Sequence, residues 1–320
     1  MTAEAKFAFM AGCNYVPLAV GYVCRRTVLV DPARSKVISR WVVLTLEPLI
    51  ACFAAWHLDL SSLGRVLVVP MVGALVSLAL LGVGFLVLPL VKGSPRRRGA
   101  FLLCAMISNI GMAMGGFIAY MLHGVPAQSL VVLYVAHFYP VVFVIGVALA
   151  GYYTTGAHAP LCATLAGMVR NPIIIAPVAG LGAGIVLNLT QGAAPAWLGT
   201  GNAVALPMAV CLHAFSIGLT LRLGRIGRYV RELGILLGAK FLVGPALGVA
   251  VVFVLGQWGT YDGLLWRVAL IEGAMPVGVF ATVIANLYDL DRDLANSAWI
   301  VTTLATAAVI PLLWILTGAW

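Results

Sequence analysis

Apolar runs long enough to cross a bilayer recur along almost the whole chain, and no other feature narrows its folding choices as much. Crossing roughly 30 Å of hydrocarbon takes about 20 helical residues. Ten runs of that order lie near residues 7–24, 37–57, 66–91, 100–122, 128–151, 161–189, 203–223, 233–256, 264–287 and 294–317. In lipid each backbone N–H and C=O must be paired within the protein, so these runs are read as helices. Only 9% of the 320 residues are charged and mean hydropathy is +1.07, whereas a soluble domain carries about 25% charged residues. The expected fold class is an all-α integral membrane protein with ten transmembrane helices.

The net charge of +9 does not point to nucleic acid, because the basic residues sit in short links between apolar runs, as membrane topology requires. Fifteen Lys and Arg fall on one side: Arg25, Arg26, Arg34, Lys36, Arg40, Lys92, Arg96, Arg97, Arg98, Arg170, Arg222, Arg225, Arg228, Arg231 and Arg292. The other side collects Lys6, Arg65 and Arg267, and Lys240 lies inside a run. This bias predicts a multi-pass protein of the cytoplasmic membrane with both termini outside. Arg25 and Arg26 follow the first run instead of preceding it, the wrong order for a cleaved signal peptide. The six cysteines lie in or beside apolar runs without C-x-x-C spacing, so they read as packing residues, and no metal site is expected.

Ten spans divide into a first repeat at 1–151, a link at 152–160 and a second repeat at 161–320. Five spans per half make the halves face opposite ways, which is an inverted repeat. Two spans in corresponding places are interrupted. The fourth carries Ser108, Asn109, Gly111, Gly115 and Gly116; the ninth carries Glu272, Gly273, Met275, Pro276, Val277 and Gly278. Paired interruptions of this kind point to a transporter's binding site. If the fourth span unwinds at Asn109–Gly111, the next half-helix aims unpaired N–H groups at mid-membrane and favours a carboxylate. Alternatively, Gly111, Gly115 and Gly116 form a small-residue packing face. Pro276 is expected to kink the ninth span and free carbonyls there.

Charges inside spans are costly and suggest function. Glu272 is the sharpest case, with Lys240 as its expected partner; the pair is either a structural salt bridge or a proton- or substrate-exchanging site. Glu47, before Pro48, either snorkels, pairs with Arg40 or takes part in coupling. His137 and His213 stand singly within spans, where hydrogen-bonded packing is the commoner role. Gly180 and Gly184 suit a dimer contact or packing inside one subunit. Neither a P-loop, a nucleophile elbow, an H-E-x-x-H nor a dinucleotide fingerprint is present, so an enzyme is not expected, and any energy comes from a proton or sodium gradient.

The block from Gly273 to Phe280, followed by Asn286–Asp291 and Ala308–Leu313, resembles the end of the auxin efflux carrier family, with its plant PIN-type and bacterial members. Asn109–Gly115 and Asn171–Pro172 are similar to the matching family segments. The resemblance implies broken spans four and nine crossing in a mobile transport domain (spans 3–5 and 8–10). It also implies a scaffold and homodimer contact from spans 1, 2, 6 and 7, with organic anions moved by an elevator motion. Carried over by position, Asn109 and Pro276 mark the crossover, with Ser108, Gly111, Met275 and Val277 beside them as substrate-binding candidates; Ser108 replaces a proline that many relatives have. Glu272, Lys240, Glu47 and His137 are the ion-coupling candidates. The expected function is efflux of a small organic anion, whether a dicarboxylate, a monocarboxylate or an aromatic acid. A sodium-coupled uptake carrier of the bile-acid type and a ligand-binding receptor or channel are the alternatives.

Overall fold

The computed structural model describes residues 2–111, 114–154, 166–167, 170–221 and 226–318. The link at 155–160, the start of the sixth run at 161–165, Cys162, Arg222 and Arg225 lie outside the described residues. Within them the chain is helical, with one isolated antiparallel bridge.

Helix α1 (Ala3–Arg26) starts where Thr2 accepts the Ala5 N–H at 3.3 Å, and α2 (Arg34–Trp56) returns across the layer. The third run is α3 (Leu63–Val87). Helix α4 (Pro95–Met106) is launched by Ser94, which accepts the Arg97 N–H, with Pro95 in the first turn where no N–H is needed. It stops after only 12 residues, too few to cross. Helix α5 (Gly115–Val135) then joins the end of the fourth run to the start of the fifth, turning at Gly124, whose φ of 75° only glycine adopts readily. A π-helical stretch, Phe138–Phe143, leads into α6 (Val144–Tyr153).

In the second half, α7 (Pro172–Gln191) begins at an Asn171 cap onto Ile173 N–H, and α8 (Ala196–Thr220) follows. The eighth run is made of α9 (Val230–Gly238), a π-helical stretch at Ala239–Val243 and α10 (Gly244–Val254). The ninth is cut into α11 (Leu264–Gly273) and α12 (Val279–Leu287). The chain ends in α13 (Arg292–Thr317), capped by Asp291 and stopped by Gly318. Eight continuous helical segments among the described residues are long and apolar enough to span a membrane. The fourth and ninth runs are broken where glycine, proline and asparagine interrupt them.

Helices α1, α2, α7 and α8 pack on one another through glycines. A Cβ on Gly180 would come within 2.6 Å of Pro48 Cα, and one on Gly184 within 2.6 Å of Ala55 Cβ. The Gly180–Gly184 pair is therefore used inside the subunit, between α7 and α2, instead of at a dimer contact. Two apolar cores result. One draws residues from α1, α2 and α8 together with α3, α5, α10 and α11, among them Met10, Val42, Leu206 and Ile271. The other, around Phe101, Tyr229, Ala281 and Trp299, is built mainly by α4, α6, α9, α12 and α13 and the turns that flank them.

Candidate functional site

The two interruptions meet. Asn109 N–H donates to the Pro276 carbonyl at 2.7 Å, and Gly278 N–H donates to the Ile107 carbonyl at 3.0 Å. Ser108 and Val277 thereby form the one isolated antiparallel bridge of the described residues. Val277 N–H has a further partner in Thr302 Oγ1 at 3.0 Å. Each broken helix thus satisfies backbone groups of the other, which allows non-helical chain at membrane depth. The crossing is tight: a Cβ on Gly278 would lie 2.7 Å from the Ser108 carbonyl oxygen. Gly111, at φ 101°, makes the left-handed turn out of the fourth-span break.

Four half-helix ends converge here, and their partial charges sort the neighbouring side chains. At the C-terminal end of α4, Lys240 donates from Nζ to the Ala105 carbonyl at 2.7 Å and to Ser108 Oγ at 2.8 Å. Lys240 is fully buried and lies in the π-helical stretch that turns it toward the crossover. Glu272 belongs to the other break. Its carboxylate lies against Gly115, the first residue of α5, and a Cβ there would come 2.6 Å from its Cδ. The Gly111 amide lies on the same side, yet neither carboxylate oxygen completes a hydrogen bond of ordinary geometry. The expected Lys240–Glu272 pair is not formed: each charge instead faces a helix end of opposite sign.

A cavity of about 1420 Å³ opens from the crossover toward the side bearing the basic residues. Ser108, Asn109, Gly111, Gly278, Val279 and Phe280 line its deep end, while Lys36, Arg40 and Arg292 stand nearer the rim. Asn109 is half-buried, and its side-chain amide has only a weak contact, 3.7 Å, to Met114 Sδ. The N-terminal end of α12 faces the same space. The end of α5, favoured from sequence as the anion site, is occupied by Glu272. Met275, Pro276 and Val277 are buried behind the crossover and do not line the cavity.

Two further candidates fall into place. Glu47 pairs with His213 at 2.9 Å across α2 and α8, within the cavity wall, not with Arg40. His137 is enclosed: Nδ1 meets the Tyr134 carbonyl and Nε2 meets Ser77 Oγ at 3.0 Å. With Nδ1–H donating and Nε2 accepting, the neutral ring is satisfied, as a packing histidine is. Gly278 was singled out only as part of the ninth-span interruption, and Val279 and Phe280 were missed as cavity residues, although the proline before them was the available signal, since a helix restarts just beyond it.

Residues 157–315 match the family described as Membrane transport protein. An uncharacterized transporter of Methanothermobacter thermautotrophicus is 26% identical over 148 residues, 45% of this chain and 46% of that protein. A probable auxin efflux carrier component 5b of Oryza sativa subsp. japonica is 30% identical over 155 residues, 47% of this chain and 40% of that protein. The chain thus aligns with less than half the length of these relatives. Apolar helices broken at mid-membrane and these matches agree: the chain is a multi-pass membrane protein whose second half is similar to a family of membrane transporters that includes auxin efflux carriers.

Proposed function

We propose that the protein carries a small organic anion across the cytoplasmic membrane by alternating access. The observation that supports this most is the cavity running from basic side chains to Asn109 and the open N-terminal end of α12. An anion is drawn past Lys36, Arg40 and Arg292, and its apolar body packs against Ile110, Val135 and Phe280. Its carboxylate then accepts from Asn109 Nδ2 and from the first N–H groups of α12, which favour negative charge by about 0.3 to 2 kcal/mol. Lys240 is the positioning residue, holding Ser108 and the end of α4 so that Asn109 faces the cavity.

In this reading the two halves form a ten-span inverted repeat with both termini outside. The group α1, α2, α7 and α8 is a scaffold past which the crossover travels in an elevator motion, and the protein works as a homodimer. Gly180 and Gly184 do not supply the dimer contact. Efflux is the direction expected from the family resemblance.

A second reading, in which the carrier is coupled to a proton or sodium gradient, is favoured by Glu272. A carboxylate 1% exposed, with neither oxygen hydrogen-bonded, is a place for a cation to bind and leave. Counterflow of radiolabelled mono- and dicarboxylates in proteoliposomes tests both. Saturable counterflow indicates a carrier, and its loss in Glu272→Gln together with loss of sodium or pH dependence supports coupling. Binding without flux would indicate a receptor, and non-saturable flux a channel.

A further inference from the structure

On the side away from the basic residues, the α1, α2 and α8 layer meets α5 in an apolar seam that contains one reciprocal polar pair. Gln128 Nε2 donates to Asn202 Oδ1 at 3.0 Å, and Asn202 Nδ2 donates back to Gln128 Oε1 at 2.9 Å. Gln128 is 0% exposed and Asn202 4%. Gln128 follows the Gly124–Pro126 turn of α5, and Asn202 lies in the first two turns of α8. Neither lines the cavity, which opens to the opposite side.

Ala127, Leu130 and Val131 on α5, and Leu206 on α8, near the pair along their helices, belong to one apolar core, and Ser129 beside Gln128 is buried as well. Two apolar side chains would fill such a seam without desolvating two amides, so packing alone does not call for the pair. What an amide pair adds is register. The two bonds form at one relative position of α5 and α8; a slide of a few ångströms leaves both amides without partners among apolar side chains. Such a contact favours one position sharply over its neighbours. The tyrosine bond from Tyr15 to the Thr303 carbonyl, 3.2 Å long, links α1 to α13 with a single contact and carries no such reciprocity.

We propose that Gln128 and Asn202 form a latch that holds the protein closed on the side away from the basic residues, and that the latch parts when the crossover is exposed on that side. The proposal rests on the alternating-access reading and adds to it the contact that sets which side is open.

Accessibility of a reporter cysteine tests it. Val283 lines the cavity on α12 and is 41% exposed; Val283→Cys is placed in a background with the six native cysteines replaced. A membrane-impermeant maleimide should label it rapidly from the basic side and slowly from the other. Adding Gln128→Met and Asn202→Leu together, which removes the pair without orphaning either amide, should raise labelling from the other side at least fivefold. A rate within twofold of the unaltered reporter overturns the latch. Counterflow of mono- and dicarboxylates on the same proteins separates the failures: flux with unchanged labelling removes the latch alone, and absent flux with unchanged labelling removes the transport reading as well. If the double variant does not fold, Gln128→Cys with Asn202→Cys joined by a short reducible bifunctional thiol reagent replaces it. Reversible block of labelling from the other side, to a tenth or less of the unlinked rate, supports the latch, and labelling unaffected by the link overturns it.

Discussion

Lys240 and Glu272 are buried singly, and each faces the end of a half-helix whose partial charge opposes its own. The sequence suggested a pair because each is a lone charge inside a span. Nearest opposite charge is a poor guide where broken helices bring unpaired carbonyls and N–H groups to the same depth. Lys240→Met should destabilise by about 1.5 to 3 kcal/mol, the loss of charged hydrogen bonds to Ala105 and Ser108. Combined with Glu272→Gln, the effects on thermal unfolding in detergent should add to within about 0.5 kcal/mol. A coupling above about 1 kcal/mol would restore the salt bridge. Gly115→Ala should cost about 1 to 3 kcal/mol, because the new methyl enters the space of the Glu272 carboxylate. Glu272→Asp, with a shorter reach, should recover much of that loss. No recovery would place the strain elsewhere.

At the scale of elements, the breaks were legible because asparagine, glycine and proline at mid-membrane depth weaken a helix where its freed backbone groups find no water. Their mutual pairing was not legible, since Asn109 and Pro276 are far apart in sequence and the bonds use backbone atoms that any residue carries. Glu47 and His213, joined through their side chains across α2 and α8, were not legible as a pair because they too are far apart in sequence. Proline at 276 signals freed carbonyls, whereas its larger consequence is the fresh helix start at Val279. Gly180 and Gly184 left two uses open, and the close approach to Pro48 and Ala55 decides for the one inside the subunit. Gly180→Leu should therefore lower the yield of folded protein severalfold, with the surviving fraction at the parent's oligomeric size by light scattering. Full yield with a shift from dimer to monomer would put the glycines back at a subunit interface.

For the whole molecule, one apolar core knits the two groups of helices together on one side, and a cavity parts them on the other. In the proposed reading the charge bias puts the basic residues at the open end in the cytoplasm, so reporter fusions at either terminus should report from outside. A cytoplasmic carboxyl terminus would undo both the ten-span count and the inverted repeat. The central claim is that this cavity delivers an organic anion to Asn109 and the N-terminal end of α12. Its most direct test is calorimetry on the carboxylate that best stabilises the purified protein in a thermal-shift screen, comparing the parent with Asn109→Ala. Loss of the amide should weaken binding by about 1 to 3 kcal/mol, roughly five- to 150-fold in Kd, with unfolding temperature nearly unchanged. An unchanged Kd would move the site away from the crossover and leave Asn109 as part of the wall.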